Sequence, residues 1–417
     1  MTIKQKKEIL VYAHWAGMGT PFLMGILSVS PAKGKESFSF EYTDKWLKSG
    51  AAQIIDPDLG LYSGAFYPRN DKPNFGVFLD SCPDRWGRGL MQRREAALAK
   101  QEQRQPIKLL ESDFLLGVYD GHRMGALRFK IAEDGPFLND NKTMATPPWT
   151  SLRELEQASL KLEEGNIGDP EYLRWLNVLI APGSSLGGAR PKASVMDVNN
   201  NLWIAKFPSK DDDKDIAAWE MVANHLAVTS GLHVAKGQLQ RFGSRYHTYL
   251  TKRFDRISNN ERVHFASAMT LLGHIDGESG ASYLGLMEFI SRNGAQVEKD
   301  LEELWRRIVF SIYVKNTDDH LRNHGFLLTE KGWILSPAYD LNPNEYGSEL
   351  SLNITDIDNS LDPDLAMEVA DFFRLTSQKA NKIMTQVSSA VRNWKSIASL
   401  CGLSKSEQER MATAFEF

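Results

Sequence analysis

Cysteine is almost missing: Cys82 and Cys401 are the only two in 417 residues, far apart and without metal-ligand spacing. That excludes a disulfide framework, and free thiols in a reducing cytoplasm are the expectation. No apolar run approaches the ~18–20 residues of a membrane-spanning helix. Lys4, Lys6 and Lys7 ahead of Ile9–Val29 imitate a signal peptide, but His14, Gly17, Gly19 and Pro21 break the run, so strand, turn and strand are expected there. Charge of one sign is also lacking. The 49 basic residues against 53 acidic ones leave a formal net charge of -4, which gives no reason to expect general nucleic-acid binding. Neither a Cys/His cluster nor a Ser-His-Asp order points to zinc or hydrolase chemistry, and there is no internal repeat or low-complexity tract.

What is present is an ordinary globular composition, 42% hydrophobic and 24% charged, in a chain long enough for two or three domains. Residues 9–16, 22–29 and 38–42 read as a small antiparallel sheet, and 57–75 as loop. A helix over 85–100 has Asp84 as its cap; 112–118 reads as a helix and 125–129 as a strand. Residues 133–150, rich in Asp, Asn, Pro and Thr, mark a boundary. Helices at 151–164 and 170–179 precede a glycine-rich turn at 182–192, then strands at 193–197 and 202–207. A helix at 216–229, with Trp219, Val222, Ala223 and Leu226 on one apolar face, and strands at 237–242 and 246–251 follow. The rest is mainly helical (282–293, 297–315, 363–374, 377–400), apart from a hairpin at 325–335.

The chemistry concentrates in 311–340. A helical, apolar approach ends in a polar loop holding Asn316, Asp318, Asp319, His320 and Asn323, and the hairpin then delivers Asp340. Asp318 and Asn323 stand five apart, and Asp340 comes about twenty residues later, which is the order phosphoryl transfer requires. One carboxylate takes the acceptor hydroxyl's proton, while an amide and a second carboxylate hold magnesium against nucleotide phosphates. Asp319 competes with Asp318 for the first role, and the spacing favours Asp318. His320 reads as a brace for the loop, and His324 belongs to the following strand. Upstream, Gly187 and Gly188 permit close backbone approach to a phosphate, although no GK[ST] follows. Lys206 ends a strand as a phosphate-neutralising lysine would, with Glu220 on the next helix as its partner.

Taken together the chain resembles the HipA family, bacterial serine/threonine kinases that are toxins of type II toxin–antitoxin systems. The stretches carrying the likeness are 75–95 and 115–129, then SSLGGARPKA (184–193), WIAKFP (203–208), TKRFDR (251–256), NTDDHLRNHGF (316–326) and SPAYDLNP (336–343). Where the family loop commonly reads like GAQxK, Arg190-Pro191 precede Lys192, and 264–269 replaces acidic residues often found near the adenine and ribose. The resemblance implies an α+β, two-lobed protein-kinase-like fold with a small N-terminal β-rich subdomain (1–135), a kinase N-lobe-like part with the glycine-rich loop (150–260) and a mainly helical C-terminal lobe (261–417). It implies ATP and Mg²⁺ as cofactors, Asp318 as the catalytic residue, and Asn323 and Asp340 as metal ligands. Gly187, Gly188, Ala189, Lys192, Lys206, Glu220 and His320 would complete the cofactor site. The γ-phosphate would pass to a protein serine, with an aminoacyl-tRNA synthetase among the candidate substrates, and to a glycine-loop serine, Ser185 or the adjacent Ser184. The implied partner is a small helix-turn-helix antitoxin, with DNA reached only through it, no membrane, and a cytoplasmic location. Two other readings stay open: a catalytically silent corepressor of a toxin–antitoxin module, and a small-molecule kinase.

Overall fold

The structure, a computed structural model, describes residues 6–32, 34–69, 72–141, 146–165, 171–180, 190–257 and 260–417. Two compact units emerge: Met1–Lys210 with Asp255–Ala266, and Asp211–Phe254 with Ser267–Phe417.

The first unit is built on a five-stranded antiparallel sheet. Its strands are β1 (Lys7–Ala13), β2 (Phe22–Ala32), β3 (Lys35–Tyr42), β4 (Ala65–Phe66) and β5 (Leu127–Lys130), in the order β4-β3-β2-β1-β5. Alternation makes the face: Ile9, Val11 and Ala13 on β1 and Phe38, Phe40 and Tyr42 on β3 are buried while their neighbours reach outward. Around the sheet lie α1 (Asp44–Leu47), α2 (Gly76–Leu79), α3 (Arg85–Gln101) and α4 (Glu111–Gly117). Phe78 of α2 meets Phe40 at 5.6 Å and Phe129 of β5 at 6.0 Å between ring centroids, closing the core. Asp84 caps α3 as expected, its Oδ1 accepting from Gly87 N at 2.8 Å.

The stretch expected to be a linker is partly pinned to this unit. Asn139 N donates to Val118 O at 2.9 Å, Leu138 N to Phe129 O at 2.8 Å, and Pro148 bridges to Met196. Polar composition signals exposure, and these backbone bonds tie an exposed segment down all the same. Helices α5 (Leu152–Glu164) and α6 (Tyr172–Ile180) precede the antiparallel hairpin of β6 (Lys192–Met196) and β7 (Leu202–Lys206). Asp197 sets its turn by accepting from Asn199 N, Asn201 N and Trp203 Nε1, each at 2.9 Å.

In the second unit, α7 (Ile216–Thr229) is buried on nearly every face, Glu220 and Asn224 included, where one apolar face was expected. Strands β8 (Gly237–Gln240) and β9 (Thr248–Lys252) form a hairpin, and after the chain's passage through the first unit the short β10 (Phe265–Ser267), which begins there, runs into α8 (Ala268–Leu271). Next come α9 (Tyr283–Asn293) and α10 (Val297–Tyr313), then the hairpin of β11 (Gly325–Thr329) and β12 (Gly332–Leu335). Gly332 turns that hairpin at φ +122°, and a Cβ there would stand 2.6 Å from Asn293 O. Helices α11 (Pro363–Glu368), α12 (Ser377–Val391), α13 (Trp394–Leu400) and α14 (Lys405–Met411) complete the chain. The helix expected over 377–400 breaks at Arg392-Asn393, and the break lets Trp394 stack on Phe415 at 4.6 Å. Among the described residues no helix is long and apolar enough to cross a membrane.

One buried cation ties the first unit together. The Arg123 guanidinium donates from Nη1 to Ser81 O (2.9 Å) and Leu115 O (2.8 Å), and from Nη2 to Val118 O (3.0 Å) and Leu138 O (2.9 Å). Burial lowers its pKa to about 10, so it stays charged at neutral pH. Arg123→Met removes the guanidinium donors from all four carbonyls, of which Val118 O keeps its bond from Asn139 N. Urea unfolding is expected to show the first unit destabilised by about 3–5 kcal/mol, the range for breaking a buried charged network.

Candidate active site

Helix α10 presents an apolar stripe, Leu301, Leu304, Trp305, Ile308, Val309 and Ile312, all nearly fully buried. Its burial fixes where the chain leaves the helix. Lys315, at φ +46°, then turns the backbone into the loop. Within the loop the two adjacent aspartates point opposite ways.

Asp319 is buried. Its Oδ2 accepts from the Tyr283 hydroxyl at 2.6 Å and from Ser311 Oγ at 3.3 Å, and its Oδ1 lies 3.0 Å from His324 Nε2. The His324 approach is short but out of line for a good hydrogen bond, so the Tyr283 contact is the firmest of the three. Burial pushes the Asp319 carboxyl up, but the His324 ring and the hydrogen bonds outweigh it and hold the pKa below the usual carboxylate range.

Asp318 faces outward at the surface. Partial desolvation raises its pKa, the neighbouring Asp340 and Asp319 charges add to the rise, and His320 opposes it. The carboxylate is thereby made a better proton acceptor. Its main chain is clamped from below: Asp318 O accepts from His320 N at 3.0 Å and from Asn323 Nδ2 at 2.9 Å.

That last bond orients Asn323. With Nδ2 committed, its Oδ1 is a buried oxygen with no hydrogen-bond partner among the described residues. A buried acceptor left unpaired costs free energy, and a hard cation is the kind of group that repays it. Asp340 lies close enough for its charge to be felt at Asp318. It holds the left-handed conformation, φ +59°, uncommon for a non-glycine residue, and its Oδ1 accepts from Asn342 Nδ2 at 3.1 Å. Three bonds pin its segment to the loop: Asn342 N to Asn316 Oδ1 (3.0 Å), Tyr339 Oη to Arg322 O (2.7 Å) and Asn344 Nδ2 to Thr317 Oγ1 (2.8 Å). Asp318, Asn323 and Asp340 are thus brought together, and the oxygen donors fit Mg²⁺. Among the described residues no group of three or more His, Cys, Asp or Glu could hold a metal. Magnesium takes only one or two carboxylates from a protein when substrate phosphates supply the rest.

The other expected residues lie as follows. Glu220 is buried on α7 of the second unit. Its charge and that of Asp340 both act on Tyr249, a buried phenol whose pKa is raised first by burial and then by these two carboxylates. His320 is half-buried, and its Nδ1 has no hydrogen-bond partner among the described residues. Lys206 ends β7 in the first unit, paired in register with Lys192. Lys192 is itself buried, with Nζ donating to Asp84 Oδ2 at 2.8 Å. Ser184, Ser185, Gly187, Gly188 and Ala189 lie outside the described residues. Tyr283 and Tyr249 carry no local signal, because each reaches the site only through tertiary packing.

The sequence model of the HipA-like C-terminal domain family matches residues 184–394, half of the chain, a span that contains Lys206, Glu220 and the whole 316–340 cluster. The chain belongs to that family. Its fold is α+β and kinase-like. It is similar along 97% of its length, and 94% of the other chain, to the HipA of Shewanella oneidensis MR-1, solved as a toxin–antitoxin complex with HipB and operator DNA, at a TM-score of 0.63 and 18% identity. A Haemophilus influenzae protein described as "Putative kinase" is 26% identical over 178 residues, 38% of this chain. The chain spans about half the length, 52%, of that curated relative.

The two aspartates are separable by stability. Asp319, with its lowered pKa, stabilises the folded chain above the ordinary carboxylate range, and that contribution is lost as pH falls below about 4. Asp319→Ala is expected to cost about 2–4 kcal/mol at pH 7, and Asp318→Ala to stay within about 0.5 kcal/mol of the parent. Thermal melts of both variants between pH 7 and pH 2 check this, with the gap kept down to about pH 4 and narrowing below it.

Proposed function

We propose that this protein is an ATP- and Mg²⁺-dependent serine/threonine protein kinase of the HipA type. The observation that carries the reading is the buried Asn323 Oδ1, without a hydrogen-bond partner among the described residues and held beside the outward-facing Asp318 by a bond from its own amide. A silent scaffold has no use for an unpaired buried acceptor at that position. Mg-ATP supplies the transferable γ-phosphoryl group when bound. Asp318 would orient the acceptor hydroxyl and take its proton as the new ester bond forms and the bond between the γ-phosphorus and the departing ADP breaks. Asn323 Oδ1 and the Asp340 carboxylate offer oxygen to the cation, and Lys206 offers charge to the phosphates. Glu220 is the residue to orient Lys206, and Gly187, Gly188 and Ala189 are the backbone to cover the phosphates. His320 braces the loop from within.

The acceptor is a protein serine, of which an aminoacyl-tRNA synthetase would be one source. A serine of the glycine loop, Ser185 or Ser184, is the self-modification site. A phosphate there would carry about two negative charges beside the nucleotide's own and repel it, so autophosphorylation would switch the enzyme off. The HipB seen with the Shewanella protein suggests a small helix-turn-helix antitoxin as partner here, with DNA contacted through it, in the cytoplasm.

Intact mass and peptide mapping after incubation with Mg-ATP test the reading. One added phosphate on Ser185 or Ser184, absent from Asp318→Ala, is the expected result. No phosphate together with no thermal shift on adding Mg-ATP would leave the silent corepressor in its place. Binding without self-modification would direct the search to an external acceptor, protein or small molecule.

A further inference from the structure

Residues 404–417 make contacts that sequence reading does not suggest. Ser404 caps α14, its Oγ accepting from Glu407 N at 3.2 Å. Glu407 then reaches the start of α7, where its Oε1 accepts from Asp215 N at 2.8 Å and from Trp219 Nε1 at 3.1 Å. Trp219 is the residue immediately before Glu220. Phe415 stacks on Trp394 at 4.6 Å, and this stacked pair packs against Trp219, with Phe415 6.0 Å and Trp394 6.1 Å from it between ring centroids. The indole that precedes Glu220 is therefore held by a carboxylate at its N–H and by a stacked pair of aromatic rings.

The same segment grips the loop beyond Asp340. Thr413 Oγ1 donates to Glu345 O at 3.0 Å, and the Glu345 carboxylate pairs with Lys214, just ahead of α7, whose Nζ also lies 3.5 Å from Met411 Sδ. Arg410 pairs with Asp213 at 3.2 Å, and Phe417 packs on Tyr313, the last residue of α10, at 4.2 Å. Three pieces that bear candidate active-site groups meet on one short segment: α7 with Glu220, the loop five residues past Asp340, and the end of α10 that feeds Asp318. A surface helix kept only for stability would need contact with one of them.

We propose that residues 404–417 are a brace that positions the phosphoryl-transfer site, with Glu407 and Phe415 as its positioning residues. The proposal rests on the kinase reading for its catalytic consequence, while the brace itself is a mechanical claim. A carboxylate in the place of Glu220 acts through its distance and angle to its partner, and a displacement of about 1 Å can cost two orders of magnitude in rate. Glu407 touches none of the reacting groups, so its effect is transmitted through Trp219 and the first turn of α7.

Glu407→Ala and Glu407→Gln separate positioning from bulk stability. Gln keeps the Oε1 acceptor that both N–H groups use, and Ala removes it. At a temperature where every variant is folded, Glu407→Ala is expected to lose about tenfold or more in kcat with KM for Mg-ATP changed by less than about threefold, and Glu407→Gln to stay within about twofold of the parent. Phe415→Ala should repeat the Glu407→Ala pattern. In hydrogen exchange, Glu407→Ala should speed exchange over 213–229 and 341–347 and leave 85–101 unchanged. Unchanged exchange over 213–229 and 341–347 overturns the brace. Faster exchange with an unchanged kcat reduces it to a structural contact and overturns the positioning role. If the parent chain transfers no phosphate at all, the kinase reading fails by itself, and exchange alone decides whether the brace exists.

Discussion

The arrangement of the candidate site depends on one buried carboxylate. Asp319 gathers Tyr283 from α9, Ser311 from α10 and His324 from the base of β11 onto two oxygens. Because successive residues of this loop point in opposite directions, anchoring Asp319 inward obliges Asp318 to face out. The desolvation cost of burying a carboxylate is offset by the hydrogen bonds it accepts, and the return is a fixed orientation for its neighbour. The unpaired oxygen of Asn323 and the left-handed backbone of Asp340 are local costs of the same kind, tolerated because the surroundings over-determine them.

Much of this was legible in the sequence, for identifiable reasons. The run from α10 through the β11–β12 hairpin has strong local signals: a 3.6-residue apolar period, a polar loop and a turn closed by Gly332. The five-residue step from Asp318 to Asn323 fixed which aspartate to prefer. The structure gives that preference a physical form, one side chain at the surface and the other buried on Tyr283. Asp84 was identifiable as a cap because it directly precedes a charged helical stretch.

What was not legible is what only tertiary contact creates. Tyr283 is 36 positions from Asp319, and nothing near it in sequence marks it as a loop anchor. Phe415, Trp394 and Trp219 read as ordinary core aromatics, since a stack assembled from three distant segments leaves no periodicity. Residues 133–150 looked like a linker because composition reports solvent exposure, whereas the bonds from Leu138 and Asn139 are backbone bonds that any residue could make. Helix α7 misled in the opposite direction: an amphipathic pattern implies one buried face, but a short helix surrounded by neighbours buries its polar residues as well.

Asp84 serves two structures at once. One of its oxygens caps α3, and the other meets the ammonium of Lys192 at the start of the β6–β7 hairpin, both side chains being almost fully buried. Residue 84 lies far outside the span that defines the family, while Lys192 lies within it. The stretch that the family model matches is consequently not independent of the residues ahead of it. An excised 184–394 fragment would carry the buried Lys192 ammonium without the Asp84 carboxylate it donates to. The cap of α3 and the start of the β6–β7 hairpin share one side chain, so an exchange of either, by recombination or by design, has to accommodate the other.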